Sequence, residues 1–340
     1  MRWEQVYIAG TGTWLPGRAD AALAVASGAY DADEHAANGI VSVAAAGSGD
    51  DDLAPPDMAV NAALAALDRA GPAGERASAL FHSHLWFQGS EMWPAASYIA
   101  ERTAGTGVPA FGLLQQCNAG PAAVELAAHR LGEDDAVLLT TADRFAAPAF
   151  DRWRCERGLV YGDGGTALVL SSRGGFGRLL STATRADNSL ERVVRGTGFT
   201  AGPDSGPYPV DLASRADEYL GGQGNFREST LRTAKVADDS VRQALADADT
   251  RMEDVARVVL NATGRSRMRW QLEMQLGLTE KVSNWQFCSR VGHLGAGDHF
   301  AGLDDLVRNR EVGPGDRVLL VGGGTGYTCT SAVVEITGSG

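Results

Sequence analysis

The run FGLLQQCNAGPAAVELAAHRLG, residues 111–132, constrains the fold more than any other stretch of the chain. A short apolar segment leads to Cys117, a small-residue turn follows, and the helix expected from Ala119 to Leu131 is apolar on nearly every side. A helix of that kind is buried on most faces. Pro121 is tolerated only near a helix start, because proline has no N–H and clashes with the preceding turn of a helix interior. The first turn therefore lies close to Cys117. There the unpaired N–H groups and the positive end of the helix dipole stabilise a thiolate, which makes Cys117 the candidate nucleophile. Cys155, Cys288 and Cys329 have no comparable setting. The four cysteines are widely spaced with no CxxC, which suits reduced thiols rather than a zinc site or a disulfide framework.

Around this helix, apolar runs of strand length alternate with longer segments of helical spacing. Strands are expected at Val6–Gly10, Ala79–His84, Ala110–Leu114, Ala136–Ala142 and Thr166–Ser172, and again in RVVLNAT, DRVLLVGGG and TSAVVEI. Helices are expected at Met58–Ala70, Ala95–Thr103, Leu231–Ala246 and Leu303–Arg308. This alternation implies an α/β architecture. GDGGTALVLSS and GGGTGYTCTSAVVEI echo each other, each placing a glycine-rich turn between an apolar strand and a β-rich one. Two similar halves joined near residues 173–180 explain the echo, and coincidence in a chain with 43 glycines explains it equally well. The polar segment Asp187–Arg227 reads as irregular surface structure or an insertion over the site.

The net charge of −12 argues against nucleic-acid binding through the whole surface. An acidic partner would need a local basic patch. No run of about eighteen or more apolar residues occurs, so no membrane span is expected. The opening MRWEQVYIAGTGTWLPG lacks the three regions of a signal peptide, and a cytoplasmic location is the expectation.

VGHLGAGDHFAGL, residues 291–303, holds two of the six histidines beside an aspartate. It is either a polar turn leading into a helix or the place where a catalytic set receives its histidine. QQCNAGPAAVELA, YGDGGTALVLSS and the terminal VLLVGGGTGYTCTSAVVE decide between these. Together they resemble the ketoacyl-(acyl carrier protein) synthase III branch of the thiolase superfamily, over nearly the whole chain. The resemblance implies a thiolase-like, five-layered αβαβα fold built from two similar halves, residues 1–175 and 176–340. It implies a homodimer that forms an acyl thioester on Cys117, with no permanently bound cofactor. The donor would be acyl-phosphopantetheine on an acyl carrier protein, or acyl-CoA. The family also uses a backbone N–H of the glycine-rich strand end, with that of the cysteine, as an oxyanion hole, which points to Gly323 and Gly324 beside Cys117.

One departure carries the functional reading. Decarboxylating members of the family combine Cys, His and Asn, with both partners donating to the thioester oxygen where enolate charge develops. In this chain VVLNATGRS has Asn261 where the histidine would fall, and RVGHLGAGD has His293 where the asparagine would fall. The pair is exchanged. Asparagine donates a hydrogen bond but shuttles no proton near neutral pH, whereas histidine does both. With Asp298 holding one tautomer, His293 becomes a general base, and Cys117, His293 and Asp298 form a triad suited to activating an alcohol or amine. A five-residue offset is not a same-face helical spacing, so Gly295 and Gly297 must let the loop curl back. His299 is the runner-up polar group, with structural packing as its expected role.

RSRMRW places Arg265, Arg267 and Arg269 just past Asn261, as a cationic rim for a carrier protein or phosphopantetheine or as a solvated helix face. In HSHLWFQGSEMWP, Trp86, Phe87 and Trp93 are candidates for the acyl pocket or for core packing. His82 and His84 share a strand face without a third ligand, so no metal is expected.

The resulting expectation is an acyltransferase of secondary metabolism, in polyketide or antibiotic biosynthesis. It would pass an acyl group from Cys117 to a hydroxyl or amine of a sugar or aminocyclitol, with Asn261 polarising a carbonyl or placing the acceptor. The alternatives are a decarboxylating condensing or priming synthase of polyketide or fatty-acid synthesis, and an idle homologue serving as a binding subunit.

Overall fold

Strands whose side chains are buried on both faces build the main sheet. The computed structural model describes residues 1–47, 49, 52–200, 202 and 208–338. Strand β1 (Tyr7–Trp14) is followed by a separate two-stranded sheet of β2 (Arg18–Asp20) and β3 (Ser42–Ala44). Next come β4 (Ala77–Ser83), β5 (Ala110–Leu113), β6 (Ala136–Asp143) and β7 (Gly164–Ser171). The remainder contributes β8 (Gly177–Ala186), β9 (Val255–Leu260), β10 (Arg317–Gly324) and β11 (Thr328–Ile336). Nine strands share one sheet in the order β5-β4-β6-β7-β1-β8-β11-β10-β9. β4 runs parallel to β5 and β6, and β9 parallel to β10; the other pairings are antiparallel. A ladder of just two pairs, Tyr7 with Arg178 and Ile8 with Gly177, joins the two sides.

Side-chain alternation distributes the core into layers. Val137 and Leu139 of β6, Leu168 and Leu170 of β7, Val318 and Leu320 of β10, and Val334 of β11 all join one apolar cluster. That cluster includes Val124 and Ala127 of helix Ala119–Arg130 and Phe300 and Leu303 of helix Asp298–Arg308. The opposite faces, through Leu138, Ala167 and Val169, meet helix Pro55–Ala70. Leu319, Val321 and Val333 instead meet helix Phe226–Asp247. The result is the five-layered αβαβα arrangement. Each buried Leu or Val contributes about 1.5–3 kcal/mol, more than the ~1 kcal/mol of one net hydrogen bond. Two-sided burial therefore dominates strand placement, and it accounts for the near-continuous apolar runs.

The segment Asp187–Arg227 departs from expectation. Residues 201 and 203–207 lie outside the described residues, but the rest includes helices Arg192–Arg195 and Leu212–Gly222. Neither helix fully buries a residue, and Leu212–Gly222 turns a stripe of Leu212, Ala213, Ala216, Tyr219 and Leu220 to its half-buried side. The helix expected from Leu231 begins at Phe226, capped by the Asn225 side chain accepting from the Glu228 N–H at 2.9 Å. Among the described residues no helix is long and apolar enough to cross a membrane.

The β1 sequence AGTGTW shows why alternating glycines are needed. A Cβ on Gly10 would lie 2.1 Å from the Ala66 carbonyl oxygen, and one on Gly12 2.1 Å from that of Ala62. The strand thus rests directly on helix backbone, which has no room to give. Gly12→Ala is expected to destabilise the protein by about 1–3 kcal/mol through overpacking, read as a lowered midpoint in thermal or denaturant unfolding.

Candidate active site

Cys117 sits in the 3-10 turn Gln116–Asn118 that feeds the helix beginning at Ala119. It is partly exposed, whereas Cys155, Cys288 and Cys329 are buried. The preceding Gln116 has φ of 50°, a left-handed conformation that costs a non-glycine residue about 1–3 kcal/mol. Two close approaches hold the turn. A Cβ on Gly324 would stand 2.5 Å from the Gln115 carbonyl oxygen, and one on Gly120 2.4 Å from that of Ala296. The cysteine turn is thereby pressed between β10 and the loop that leads to Asp298.

His293 follows helix Trp285–Val291, which ends at Gly292 with φ of 77°. Its backbone is fixed on both sides: the His293 N–H donates to Val160 at 2.8 Å, and Gly162 donates to the His293 carbonyl at 2.9 Å. The ring is fully buried. Its Nε2 lies 3.0 Å from the Cys117 Sγ and its Nδ1 2.6 Å from Asp298 Oδ2. The loop curls back as the glycines require, with Gly295 at φ of 62° and a 3-10 turn over Gly295–Gly297. Asp298 also accepts from the Leu294 N–H at 2.8 Å and the Ala262 N–H at 2.7 Å.

These contacts set the charges. Burial alone would push the His293 imidazole down, but the Asp298 carboxylate and the Cys117 sulfur hold it well above its ordinary range. Burial likewise would raise Asp298, and the facing imidazole with the Ala262 N–H brings it below its ordinary value. A carboxylate only accepts, so Nδ1 carries the proton toward Asp298 and Nε2 faces the sulfur. The arrangement can move a proton between Nε2 and a group at Cys117.

Asn261 lies beside this set. Its Nδ2 donates to the Cys117 carbonyl at 3.4 Å, and its Oδ1 accepts from the Gly323 N–H at 2.8 Å. Of the amides expected to form the oxyanion hole, that of Gly323 is thus bonded to a side-chain oxygen. Gly324 serves the close approach to Gln115 described above and pairs with Thr328 in the β10–β11 ladder.

The residues expected at a docking rim and an acyl pocket lie in different settings. Arg265 makes two bonds to Glu280, at 2.9 and 2.8 Å, and Arg269 a third at 2.8 Å. Arg267 donates to the Arg157 carbonyl at 2.8 Å and to Glu156 at 3.3 Å. Charge neighbours far apart in sequence thus offset much of the cationic patch. Trp86 packs edge-on against Phe150, with ring centres 5.4 Å apart, in a cluster with Phe145 and Tyr161. The Tyr161 ring lies 5.2 Å from that of His293. Phe87 is 52% exposed, and Trp93 packs on Tyr98 with 37% exposure, so neither joins these rings. His82 is buried between Thr140 and Gln88, and burial pushes it down to about 4. His299 bonds the Val321 carbonyl at 2.9 Å. No cluster of metal-ligating groups occurs among the described residues.

Asn118 was not anticipated. It is fully buried, and it does not cap its own helix. Its Oδ1 accepts from the Thr330 N–H at 2.9 Å and its Nδ2 donates to the Thr330 hydroxyl at 3.1 Å. The residue after Cys117 is thereby tied to β11. A polar residue at the mouth of an apolar helix was the available signal.

Asn118→Ala should leave the Thr330 N–H unpaired, lowering stability by about 1–3 kcal/mol and slowing alkylation of Cys117 by iodoacetamide. Charge adds a second expectation. With His293 held above about 6.5 and Asp298 below about 3.9, the charged pair is complete between about pH 4 and 6.5. Its stabilisation is lost as pH rises through the raised imidazole value, or falls through the lowered carboxylate value. The stability difference between wild type and His293→Gln, from urea titrations, should be widest in that window and narrow on both sides.

Residues 245–336 match the family described as 3-oxoacyl-[acyl-carrier-protein] synthase III C terminal. The acyltransferase ChlB3 is 33% identical with a TM-score of 0.92, over 99% of this chain and 99% of its own. FabH, the 3-oxoacyl-(acyl carrier protein) synthase III of Pseudomonas aeruginosa PAO1, is 22% identical with a TM-score of 0.78, covering 99% and 100%. Cerulenin-bound OleA of Xanthomonas campestris is 18% identical with a TM-score of 0.76, covering 98% of each chain. The last two share the fold. With the ChlB3 likeness spanning the whole chain, this protein belongs to the ketoacyl-(acyl carrier protein) synthase III-like branch of the thiolase superfamily and is an acyl-transferring enzyme of that branch.

Proposed function

We propose that this enzyme takes an acyl group from a carrier-protein or CoA thioester onto Cys117 and passes it to a hydroxyl or amine of a small molecule. The acceptor class is a sugar or aminocyclitol of natural-product biosynthesis. The observation that carries the reading is the His293 ring, held between the Asp298 carboxylate and the Cys117 sulfur. In the first step the Cys117 sulfur attacks the thioester carbonyl, and the leaving thiol takes its proton from Nε2. In the second, the acceptor gives its proton to Nε2 as its oxygen or nitrogen attacks, and the adduct expels the Cys117 thiolate. Asp298 keeps the ring in the tautomer both steps need.

Asn261 weighs against decarboxylative condensation. That chemistry calls for two free donors at the thioester oxygen. Here the Asn261 amide is engaged by the Cys117 carbonyl and the Gly323 N–H. The carrier-protein donor is supported by the family match over residues 245–336 and the transfer reaction by the likeness to ChlB3. The homodimer, the cytoplasmic location and the division into halves at residues 175 and 176 extend the family resemblance. Residues 1–175 would then bring the nucleophile and 176–340 the base.

Incubation with acyl-carrier protein and acyl-CoA panels, followed by mass spectrometry, tests the reading. Wild type should gain acyl mass at Cys117, and Cys117→Ala should gain none. His293→Ala should still load slowly and should lose about 10²–10⁴-fold in transfer. Release of CO2 with a new carbon–carbon bond would identify a condensing enzyme instead. A folded wild type that never gains acyl mass would be a binding subunit.

A further inference from the structure

One of the donors expected for the acyl oxygen is already engaged. The Gly323 N–H, expected to serve it, is bonded to Asn261 Oδ1 at 2.8 Å. What stands against Gly323 is the hydroxyl of Tyr327. A Cβ on Gly323 would lie 2.4 Å from that oxygen and 3.6 Å from Asn261 Oδ1, so only glycine leaves room for the phenol. The Tyr327 backbone is clamped by a reciprocal pair of bonds with Asp187, at 2.8 and 2.9 Å. Its hydroxyl, by contrast, has no hydrogen-bond partner among the described residues. The side chain is half-buried, and the groups that act on it electrostatically include Cys117 and Arg267. Burial first, then the nearby Cys329 and Cys117 sulfurs, push its ionisation well above the ordinary phenol range, so it stays a protonated donor.

We propose that Tyr327 is a further catalytic residue: its hydroxyl donates a hydrogen bond to the thioester carbonyl oxygen as negative charge gathers there during attack by Cys117. The donor is fixed before substrate arrives, its backbone locked and its ring seated on a glycine. Donation to a developing oxyanion is worth more than donation to the resting carbonyl, so the effect falls on the rate of the chemical step rather than on binding. The phenol transfers no proton. It holds the charge while His293 handles the proton.

The inference rests on acylation of Cys117, the first step of the proposed function, and not on the identity of the acceptor. Tyr327→Phe removes the hydroxyl and keeps the ring. The test is rapid-quench mass spectrometry of Cys117 acylation with an acyl-CoA or acyl-carrier thioester that loads wild type. The maximal acylation rate should fall about 10²-fold, with little change in the donor concentration giving half that rate. Iodoacetamide alkylation of Cys117, its pH profile and the thermal midpoint should match wild type. Acylation at the wild-type rate overturns the proposal. So does slow acylation with equally slow alkylation or a lowered midpoint, because the ring would then merely support the cysteine turn. A wild type that acylates but never transfers to a hydroxyl or amine would refute the acceptor assignment and leave Tyr327 standing.

Discussion

The packing of helix Ala119–Arg130 against helix Asp298–Arg308, between sheet faces drawn from both ends of the chain, is the constraint on which everything else depends. Helix Asp298–Arg308 is buried along most of its length, and helix Ala119–Arg130 shows solvent only its last turn and the side of Ala122, Glu125 and Leu126, so the rest must be enclosed. Enclosure puts the N-termini of both in one place: Gly120 meets the Ala296 carbonyl with no room for a side chain. One helix start carries the thiol and the other the carboxylate. Their juxtaposition is a consequence of core packing.

Electrostatics then decides what this meeting point can do. An imidazole and a carboxylate removed from water incur a large desolvation penalty, which only short, well-directed bonds offset. Asp298 gathers three such bonds, from His293, Leu294 and Ala262. The carboxylate stays charged, and the imidazole beside it is held in its protonated range. Backbone amides alone do not suffice: Asp143, bonded by the Trp86 and Leu85 amides, is pushed up to about 8 by burial, whereas Asp298 has the His293 imidazole directly against it. The exchange of His and Asn between positions 261 and 293 thus moves proton-transfer capacity to the side of the sulfur that faces Asp298.

Much of this was legible in the chain. The apolar character of the helix after Cys117 and the proline in its first turn marked the candidate nucleophile. Gly295 and Gly297 marked the loop that returns Asp298 to His293. Other surroundings were not legible, for a common reason. The ion pairing of Arg265 and Arg269 with Glu280, and of Arg267 with Glu156, is invisible in the sequence because both glutamates are remote from the cluster. Phe87 and Trp93 were grouped with Trp86 by adjacency, yet the chain turns between them and leaves those two at the surface. Helix Leu212–Gly222 does carry a short stripe, Leu212, Ala213, Ala216, Tyr219 and Leu220, on its half-buried side, but the surrounding glycines and polar residues masked it.

The sequence by itself determined the layered α/β architecture and the family, and it singled out Cys117 and His293 as candidates, because periodicity, helix-end signals and motif residues act over a few neighbours. Only the tertiary structure decided that Asn261 closes the Gly323 amide, that Asn118 ties the cysteine turn to β11, and that Tyr327 comes to rest unpartnered on Gly323. The physical reason is that a hydrogen bond is directional and short-ranged. Which donor reaches which acceptor between distant segments is set within a few tenths of an ångström, by how the core packs.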